Sequence, residues 1–275
     1  MRSTQPHHHL DRPTVASDAE RRNTLAKWLF APFRIVFKLW FVGVFFFSMV
    51  LLYIPFKLML RRPSGYPFAF RLMRRWGSFL NYALLVPLKV ERHGELPPPP
   101  YVICVNHSSY LDIIHTFNLV PDYFLFMGKY ELLKWPLFRI FFVDMHIAVN
   151  RGNRTEAARA LMKAASAIGR GISISIFPEG TIPATAPRMK LFKDGAFKLA
   201  IDKQVPVVPI TFVDNWRLFG DPEKLLSRGR PGIARAVVHA AIPTVGMGPS
   251  EVDTLRRRVF DAIEAPLREE TDRIR

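Results

Sequence analysis

The sequence predicts an α/β domain, in which a mostly parallel, mixed sheet is flanked by helices, behind an N-terminal two-helix membrane anchor. Three observations lead to this prediction. An uncharged stretch covers residues 39–56, four consecutive prolines stand at 97–100, and short apolar runs then alternate with helical periods. Strands that alternate with helices imply parallel pairing with both sheet faces covered. We expect a polar tail over 1–24, a helical anchor over 25–86 and the α/β domain over 87–275.

The tail has no apolar period and is predicted to be disordered. Three consecutive histidines lie within it, His7, His8 and His9. Such a run can bind a metal ion, but in a polar leader it more often reflects composition alone. We therefore predict no metal site.

The net charge of the chain indicates which classes of partner it can bind. With 39 lysines and arginines against 23 aspartates and glutamates, the formal charge is +16, which indicates an anionic partner. The basic residues cluster around apolar segments rather than along a groove with stacking aromatic residues, so anionic membrane lipids are expected and nucleic acid is not. The single cysteine, Cys104, allows no internal disulfide, as is typical of a reducing compartment, and is expected to fill the core.

The uncharged stretch at 39–56 would be about 27 Å long as a helix, close to the hydrocarbon thickness of a bilayer. Five cations precede it within twenty positions and six follow it, so the positive-inside rule gives no orientation. A basic amphipathic pattern at 66–86 is typical of a helix that lies in the membrane interface. Cations on both flanks favour two helices inserted from one side, with a single span as the alternative.

After the prolines, six short apolar runs are predicted as strands. They cover residues 101–105, 123–127, 147–149, 172–177, 207–212 and 236–240. Apolar residues recur at helical spacing from Ala158 to Ile168, which predicts a helix over 155–169. A charged helix is predicted over 251–273.

The stretch N-H-S-S-Y-L-D begins where the strand at 101–105 is predicted to end, and it places His107 five residues before Asp112. Ligands gather at the carboxyl ends of strands in such sheets. In one interpretation, Ser108 or Ser109 caps the next helix, and Asp112, three residues after Ser109, completes a capping box. In the other, the Asp112 carboxylate bends back to His107 and holds one ring nitrogen protonated, which leaves the other nitrogen free as a base.

Further loops follow other predicted strands. In F-P-E-G-T, the residues after the strand at 172–177 are Glu179, Gly180 and Thr181, a set that allows close backbone approach and offers a hydroxyl. Cations that suit an anion such as phosphate follow this loop at Arg188, Lys190 and Lys193. Lys129 in G-K-Y-E-L and Arg151 in V-N-R also follow strands, and surface charge is the alternative explanation for both.

Together with V-P-V-V-P-I, these motifs resemble, in order, the four motifs of the glycerolipid acyltransferases, and most closely those of the 1-acylglycerol-3-phosphate acyltransferases. The resemblance extends over about residues 88–213. It implies transfer of an acyl chain from acyl-CoA or acyl carrier protein, as co-substrate and without a cofactor, to the free hydroxyl of a lysophospholipid. The expected acceptor is 1-acylglycerol-3-phosphate, which gives phosphatidic acid. The expected location is the membrane, at the cytoplasmic face of the inner membrane.

The resemblance also implies roles for residues. His107 would be the general base and Asp112 would orient it, while the substrate hydroxyl supplies the nucleophile. Lys129 would stabilise charge near the reacting centre, and the segment around Val207 would help to line a channel for the acyl chain. The acceptor phosphate would be bound by Arg151, Glu179, Gly180 and Thr181.

One position departs from the family pattern, because Ile182 stands where an arginine usually follows F-P-E-G-T. We expect Arg188 or Lys193 to supply the missing charge, unless the acceptor has another head group, as a lyso-aminolipid has. Glycerol 3-phosphate is a further alternative acceptor. A non-catalytic basic membrane-binding protein with the same fold is the alternative from another class.

Overall fold

A seven-stranded sheet organises the part of the chain that the computed structural model describes, residues 31–220 and 227–274. The strands are β1 (Leu88–Arg92), β2 (Val102–Val105), β3 (Phe124–Lys129), β4 (Ile147–Val149), β5 (Ser173–Ile176), β6 (Val207–Phe212) and β7 (Ala234–Val238). Their order is β1-β7-β6-β2-β5-β3-β4. The five strands from β6 to β4 are parallel, whereas β7 is antiparallel to β6 and β1 is parallel to β7. The predicted mostly parallel, mixed sheet is confirmed.

Strands β2 to β6 lie within two residues of the apolar runs that predict them. The last strand begins at Ala234, two residues before the predicted start. Strand β1 has no counterpart among the predictions, because Leu88 is its one partly buried residue and the other four are exposed. An edge strand of this kind pairs through its backbone, without the apolar run that marks a buried strand.

The helices are α1 (Ala31–Met59), α2 (Tyr66–Ala83), α3 (Leu111–Leu119), α4 (Pro136–Asp144), α5 (Arg154–Gly169), α6 (Gly195–Lys203), α7 (Asn215–Leu218) and α8 (Val252–Ile274). Short 3₁₀ segments lie at Pro63–Gly65, Tyr130–Lys134 and Pro249–Glu251. The predicted helices over 155–169 and 251–273 are present as α5 and α8. The start of α5 is fixed by the Asn153 side chain, which accepts hydrogen bonds from the N–H groups of Thr155 and Glu156.

Helix α1 lies along the α/β domain rather than projecting from it. Near one end Phe41 stacks on Phe219 at 4.0 Å, and near the other Phe56 meets the Phe141 ring edge at 4.9 Å. These contacts span about 22 Å of helix. Its outer face is apolar and exposed at Val36, Leu39, Phe47, Val50 and Ile54.

Among the described residues, α1 is the one helix whose length and composition suit a membrane span. In its most apolar 18-residue segment, 28% is buried against the rest of the protein. Helix α2 is amphipathic and packs beside it, with the Trp76 indole N–H donating to the Ser48 hydroxyl at 2.9 Å. Of the predicted two-helix anchor, the structure shows one apolar helix, α1, with the amphipathic α2 packed beside it, and the anchoring role of the pair stays a prediction. The predicted tail, with its three histidines, lies outside the described residues.

Candidate active site

The end of β2 is fixed to the end of β6 by the side chain of Asn106. Its Nδ2 donates to the Phe212 carbonyl at 3.1 Å, and its Oδ1 accepts from the Phe212 N–H at 2.7 Å. The Asn106 side-chain amide therefore takes the place of a backbone amide and adds one more pair of hydrogen bonds between β2 and β6. The direction of the following residue, His107, is set by this contact.

His107 and Asp112 are brought together as the second interpretation of their spacing requires. The His107 Nδ1 atom lies 3.0 Å from Asp112 Oδ2. The ring also stacks on Phe177, with centroids 4.1 Å apart, which fixes its plane. Asp112 is fully buried, whereas His107 keeps 13% of its side chain exposed and lines a large cavity. Since Nδ1 faces the carboxylate, Nε2 is the ring nitrogen left for a substrate.

Half of the predicted capping box is present. The Asp112 carboxylate accepts from the Ser109 N–H, but the N-cap residue is Tyr110, without a side-chain cap, and the Asp112 N–H donates to the Ser109 carbonyl instead of its hydroxyl. Asp112 Oδ2 also accepts from the N–H groups of Ser108 at 2.6 Å and Ser109 at 2.8 Å. The Ser109 hydroxyl in turn accepts from the Leu111 N–H at 3.1 Å. The same hydrogen bonds that begin α3 therefore hold the carboxylate beneath the imidazole.

Asn215 is a further partner of the dyad that the sequence motifs do not reveal. Its Nδ2 donates to Asp112 Oδ1 at 2.8 Å, and both residues are fully buried. It begins α7, 103 positions after Asp112, so no local spacing signals the contact. With this bond, both carboxylate oxygens have fixed donors.

A second histidine, His115, lies beneath the site and has a different character. It is fully buried, and neither ring nitrogen has a hydrogen bond of good geometry. Burial lowers its pKa to about 4, although the nearby Asp112 charge opposes the shift. His115 is therefore a neutral packing residue at physiological pH.

Glu179 lies at the cavity wall, but both of its carboxylate oxygens are already bonded to donors of the protein. It is 3% exposed. Oε1 accepts from the His107 N–H at 2.8 Å and Oε2 from the Lys190 N–H at 2.9 Å. Burial raises its pKa to about 7, against the opposing effect of these two hydrogen bonds. Glu179 thus joins the loop after β2 to the loop after β5.

Gly180 and Thr181 follow in the same loop. Gly180 has φ +77°, which favours glycine, and a Cβ there would lie 3.2 Å from Lys193 Cε and Nζ. The Gly180 N–H donates to the Phe177 carbonyl at 3.0 Å, so it is not available as the phosphate donor that we expected. Thr181 is exposed at the cavity.

The cavity has a volume of about 2000 Å³. Aromatic and aliphatic side chains of α1, α2 and α4 line much of it, including Phe41, Phe45, Met49, Met73, Trp76, Phe138 and Phe141. The predicted channel segment around Val207 is not part of this wall, because Val207 is fully buried in the central sheet.

Four of the predicted cations line the cavity at or after the ends of β3, β4 and β5: Lys129, Arg151, Lys190 and Lys193. Arg188, expected to replace the missing arginine, is exposed and not among the lining residues. Of the two cations expected to compensate for Ile182, Lys193 is therefore the one that lines the cavity. Within the described ranges, no cluster of three His, Cys, Asp or Glu side chains is arranged to hold a metal ion.

Comparisons with known proteins agree with this geometry. Residues 88–213 match the family described as Acyltransferase. A 1-acyl-sn-glycerol-3-phosphate acyltransferase alpha of Ovis aries is 30% identical over 203 residues, which are 69% of this chain and 67% of the sheep protein. The chain belongs to the acyltransferase family.

Two further relatives extend the comparison for this acyltransferase. A 1-acyl-sn-glycerol-3-phosphate acyltransferase of Chlamydomonas reinhardtii is 33% identical over 179 residues, 62% of this chain and 52% of the algal protein. The match thus spans about half of that relative. The crystal structure of the 1-acyl-sn-glycerophosphate acyltransferase PlsC of Thermotoga maritima superimposes with a TM-score of 0.69, covering 89% of this chain and 98% of PlsC at 19% identity. This similarity shows a shared fold.

Proposed function

We propose that this acyltransferase moves an acyl chain from an acyl thioester, acyl-CoA or acyl carrier protein, to the free hydroxyl of a lysophospholipid. The acceptor in this proposal is 1-acylglycerol-3-phosphate and the product is phosphatidic acid. The observation that carries the proposal is the hydrogen-bonded pair of His107 and Asp112, whose free ring nitrogen faces a cavity with an apolar wall and a cationic wall. Such a cavity suits a lipid with one acyl chain and one anionic head group.

In the proposed mechanism, the acceptor hydroxyl donates its proton to His107 Nε2 as its oxygen attacks the thioester carbonyl carbon. Asp112 accepts from Nδ1–H and stabilises the imidazolium that forms. The new C–O bond is complete when the C–S bond breaks, and the proton passes from Nε2 to the departing thiolate. The substrate itself is the nucleophile, so no acyl-enzyme is needed. Lys129 is assigned electrostatic stabilisation of the carbonyl oxygen.

The acceptor assignment is supported by the cations on one cavity wall, of which Arg151 offers a guanidinium fork that suits a phosphate. The names of the sheep and algal relatives point to the same acceptor. Ile182, which lines the cavity at the position where the family pattern has an arginine, favours a second candidate acceptor. A lysolipid without a phosphomonoester, such as a lyso-aminolipid, is that second candidate.

We also propose that the protein sits on one membrane leaflet, at the cytoplasmic face of the inner membrane. The exposed outer face of α1 and the basic helix α2 support this placement, because a helix packed along its length against a charged domain cannot leave it to cross the bilayer alone. High salt should not extract the protein, since apolar burial is not screened. Complete extraction by salt would favour a purely electrostatic attachment.

The experiment that tests the function is an assay of thiol release with acyl-CoA and with acyl carrier protein, across a panel of lyso-acceptors. We expect lysophosphatidate to be the best acceptor and His107→Ala to abolish release. Thiol release that does not depend on any acceptor would instead indicate a thioesterase. Activity confined to acceptors without a phosphomonoester would favour the second candidate.

Two arginines provide a matched test of the phosphate wall. Arg151 lines the cavity and Arg188 does not, although both are exposed cations. Arg151→Ala should raise the KM for lysophosphatidate about tenfold, as expected for loss of a charged hydrogen bond. Arg188→Ala should leave it within about twofold. Equal effects of both substitutions would argue against a localised phosphate site.

A further inference from the structure

A second pair of cations, Arg34 and Arg228, lines the same cavity. Arg34 lies near the start of α1, and Arg228 lies in the segment before β7. The two segments lie close together, since a Cβ on Gly229, the residue after Arg228, would lie 3.5 Å from the Arg34 carbonyl oxygen. Among the described residues, neither guanidinium has an ion-pair partner. This arginine pair is thus a cationic part of the cavity that the proposed acceptor site does not include.

The arginine pair and the acceptor cations lie on opposite sides of the dyad. His107 follows β2 in the middle of the sheet, and Lys129 and Arg151 follow β3 and β4 towards one edge. Strand β7 lies on the other side of β2 and is antiparallel to β6. The start of β7 therefore reaches the same end of the sheet as the His107 loop, and Arg228 approaches the dyad from that side.

Among the residues that the structure describes, the partner that positions the Arg228 guanidinium is an aromatic ring and not a carboxylate. It lies over the Trp216 ring at 4.4 Å, and Trp216 directly follows the residue that bonds to Asp112. Stacking fixes the plane of the guanidinium and leaves its edge N–H groups for another partner. Burial, followed by the charge of Arg34 and of two other arginines, lowers the pKa of Arg228. This mutual repulsion would be relieved by an anion between the two arginines.

Arg217, in the same region, differs from this pair because it forms ion pairs within the protein. Arg217 pairs with Asp214 and with Glu270, both of which are buried. Its charge is therefore already compensated within the protein. Arg34 and Arg228 lack such carboxylates among the described residues, although both face the cavity.

We propose that Arg34 and Arg228 bind the phosphate of the phosphopantetheine arm of the acyl donor. This inference rests on the proposed function, in which acyl-CoA or acyl carrier protein presents the thioester at the end of such an arm. The cavity, at about 2000 Å³, is about twice the upper size of a usual ligand pocket, which leaves room for two substrates. Two anionic substrates need separate cations, and the acceptor and donor phosphates would occupy opposite sides of His107.

The test compares donors with and without the phosphate. Arg34→Ala, Arg228→Ala and the double variant are assayed with acyl-CoA, with acyl carrier protein and with the same acyl chain on pantetheine, which has no phosphate. We expect each single substitution to raise the KM for phosphate-bearing donors about tenfold. The KM for acyl-pantetheine and for the acceptor should stay within about twofold. An effect limited to acyl-CoA, or to acyl carrier protein, would identify which donor the pair serves.

Arg230→Ala is the matched control. Arg230 carries the same charge two positions after Arg228 and is exposed, but it does not line the cavity. We expect it to change the donor KM less than about twofold. An equal effect of Arg230→Ala, an equal loss with acyl-pantetheine, or a raised acceptor KM in place of the donor KM would overturn the proposal.

Binding provides a readout that does not depend on turnover. Free CoA is titrated into the full-length protein in detergent by calorimetry, with the wild type, the double variant and His107→Ala. We expect the double variant to weaken CoA binding at least tenfold and His107→Ala to leave it unchanged. If no acceptor is acylated but CoA binding still depends on both arginines, the proposed function fails while the anion site stands. If CoA binding is the same in the double variant, the anion site fails.

Discussion

The loops that follow β2 and β5 lie side by side, and each buries one carboxylate beneath the cavity, but these carboxylates have different partners. Asp112 receives two backbone N–H groups, the Asn215 amide and an imidazole that can become a cation. Glu179 receives two backbone N–H groups and, among the described residues, no side-chain donor, and burial raises its pKa to about 7. Both carboxylates are buried, so the difference between their roles must come from their hydrogen-bond partners. A partner that gains charge suits Asp112 to the chemistry, whereas Glu179 holds two loops together.

The largest expected effect comes from breaking the dyad. His107→Ala should lower kcat by about 10³–10⁴-fold, and Asp112→Asn should be similarly severe because an amide cannot stabilise the imidazolium. Single-turnover acyl transfer measures the loss. Circular dichroism and membrane attachment of His107→Ala should match the wild type, because the ring is at a strand end. Turnover near the wild-type rate would remove His107 from the mechanism.

A smaller effect is expected at Asn215, which acts through Asp112. Asn215→Asp would place a second carboxylate against Asp112 Oδ1, in place of a donor at 2.8 Å. We expect kcat to fall about 10–100-fold with little change in KM, and the acidic limb of the pH–rate profile to move upward, because two close carboxylates resist joint ionisation. Asn215→Ala is the comparison that removes the donor without adding charge. An unchanged pH profile in Asn215→Asp would contradict the coupling.

For Glu179, the expected effect is on stability and its pH dependence. A glutamate titrates near 4.5 when unperturbed, and burial raises the folded-state pKa of Glu179 to about 7. Between these values the folded protein keeps a proton that the unfolded chain releases, so this residue's contribution to the free energy of unfolding falls as pH rises from about 4.5 to about 7. The full cost above pH 7 is at most roughly 3 kcal/mol.

Glu179→Gln removes this titration and leaves one of two N–H groups without an acceptor. The advantage of the wild type in Tm over the variant should therefore be largest near pH 4.5 and decrease towards pH 8. Thermal unfolding in detergent at several pH values measures it. A constant difference across that range would show that Glu179 does not titrate there, and the contrast with Asp112 would lose its basis.

The smallest expected effect is that of Ile182→Arg, which restores the usual cation at the end of the Glu179 loop. Ile182 is partly buried and lines the cavity, so a long side chain can extend into open space. We expect the KM for lysophosphatidate to fall by no more than about threefold, because an added exposed charge contributes little. A large gain would indicate that the native acceptor lacks a phosphomonoester.

The sequence predicted most of the sheet because the strands β2 to β6 are buried on both faces and therefore appear as apolar runs. It also predicted the contact of His107 with Asp112, since both lie within seven consecutive residues. Strand β1 was missed because its backbone pairing leaves no apolar pattern. Asn215 was missed because its partner is 103 positions away, and only the pairing of β2 with β6 brings them together.

The role that the resemblance implies for Glu179 stays a prediction, although both of its oxygens accept hydrogen bonds from the protein itself. A glutamate in a loop rich in small residues and cations is consistent with a ligand site, but the turn at Gly180 directs the carboxylate back to the His107 N–H. The site roles of the remaining cations stay predictions. Arg188 illustrates the limit, because two prolines nearby stiffen its segment without directing the side chain into the cavity.

The position of α1 has a consequence for how lipids reach and leave the protein. The same helix lines the cavity with one face and exposes an apolar face outward. If the protein sits on a leaflet as proposed, only the thickness of this helix separates a bound acyl chain from the hydrocarbon of the leaflet. Moving a 16-carbon chain through water would cost roughly 12 kcal/mol, at about 0.8 kcal/mol for each methylene group. A sideways passage past α1 avoids this cost, since the chain never leaves an apolar medium. We therefore expect the rate of turnover to depend on the concentration of acceptor within the leaflet and not on its concentration in water.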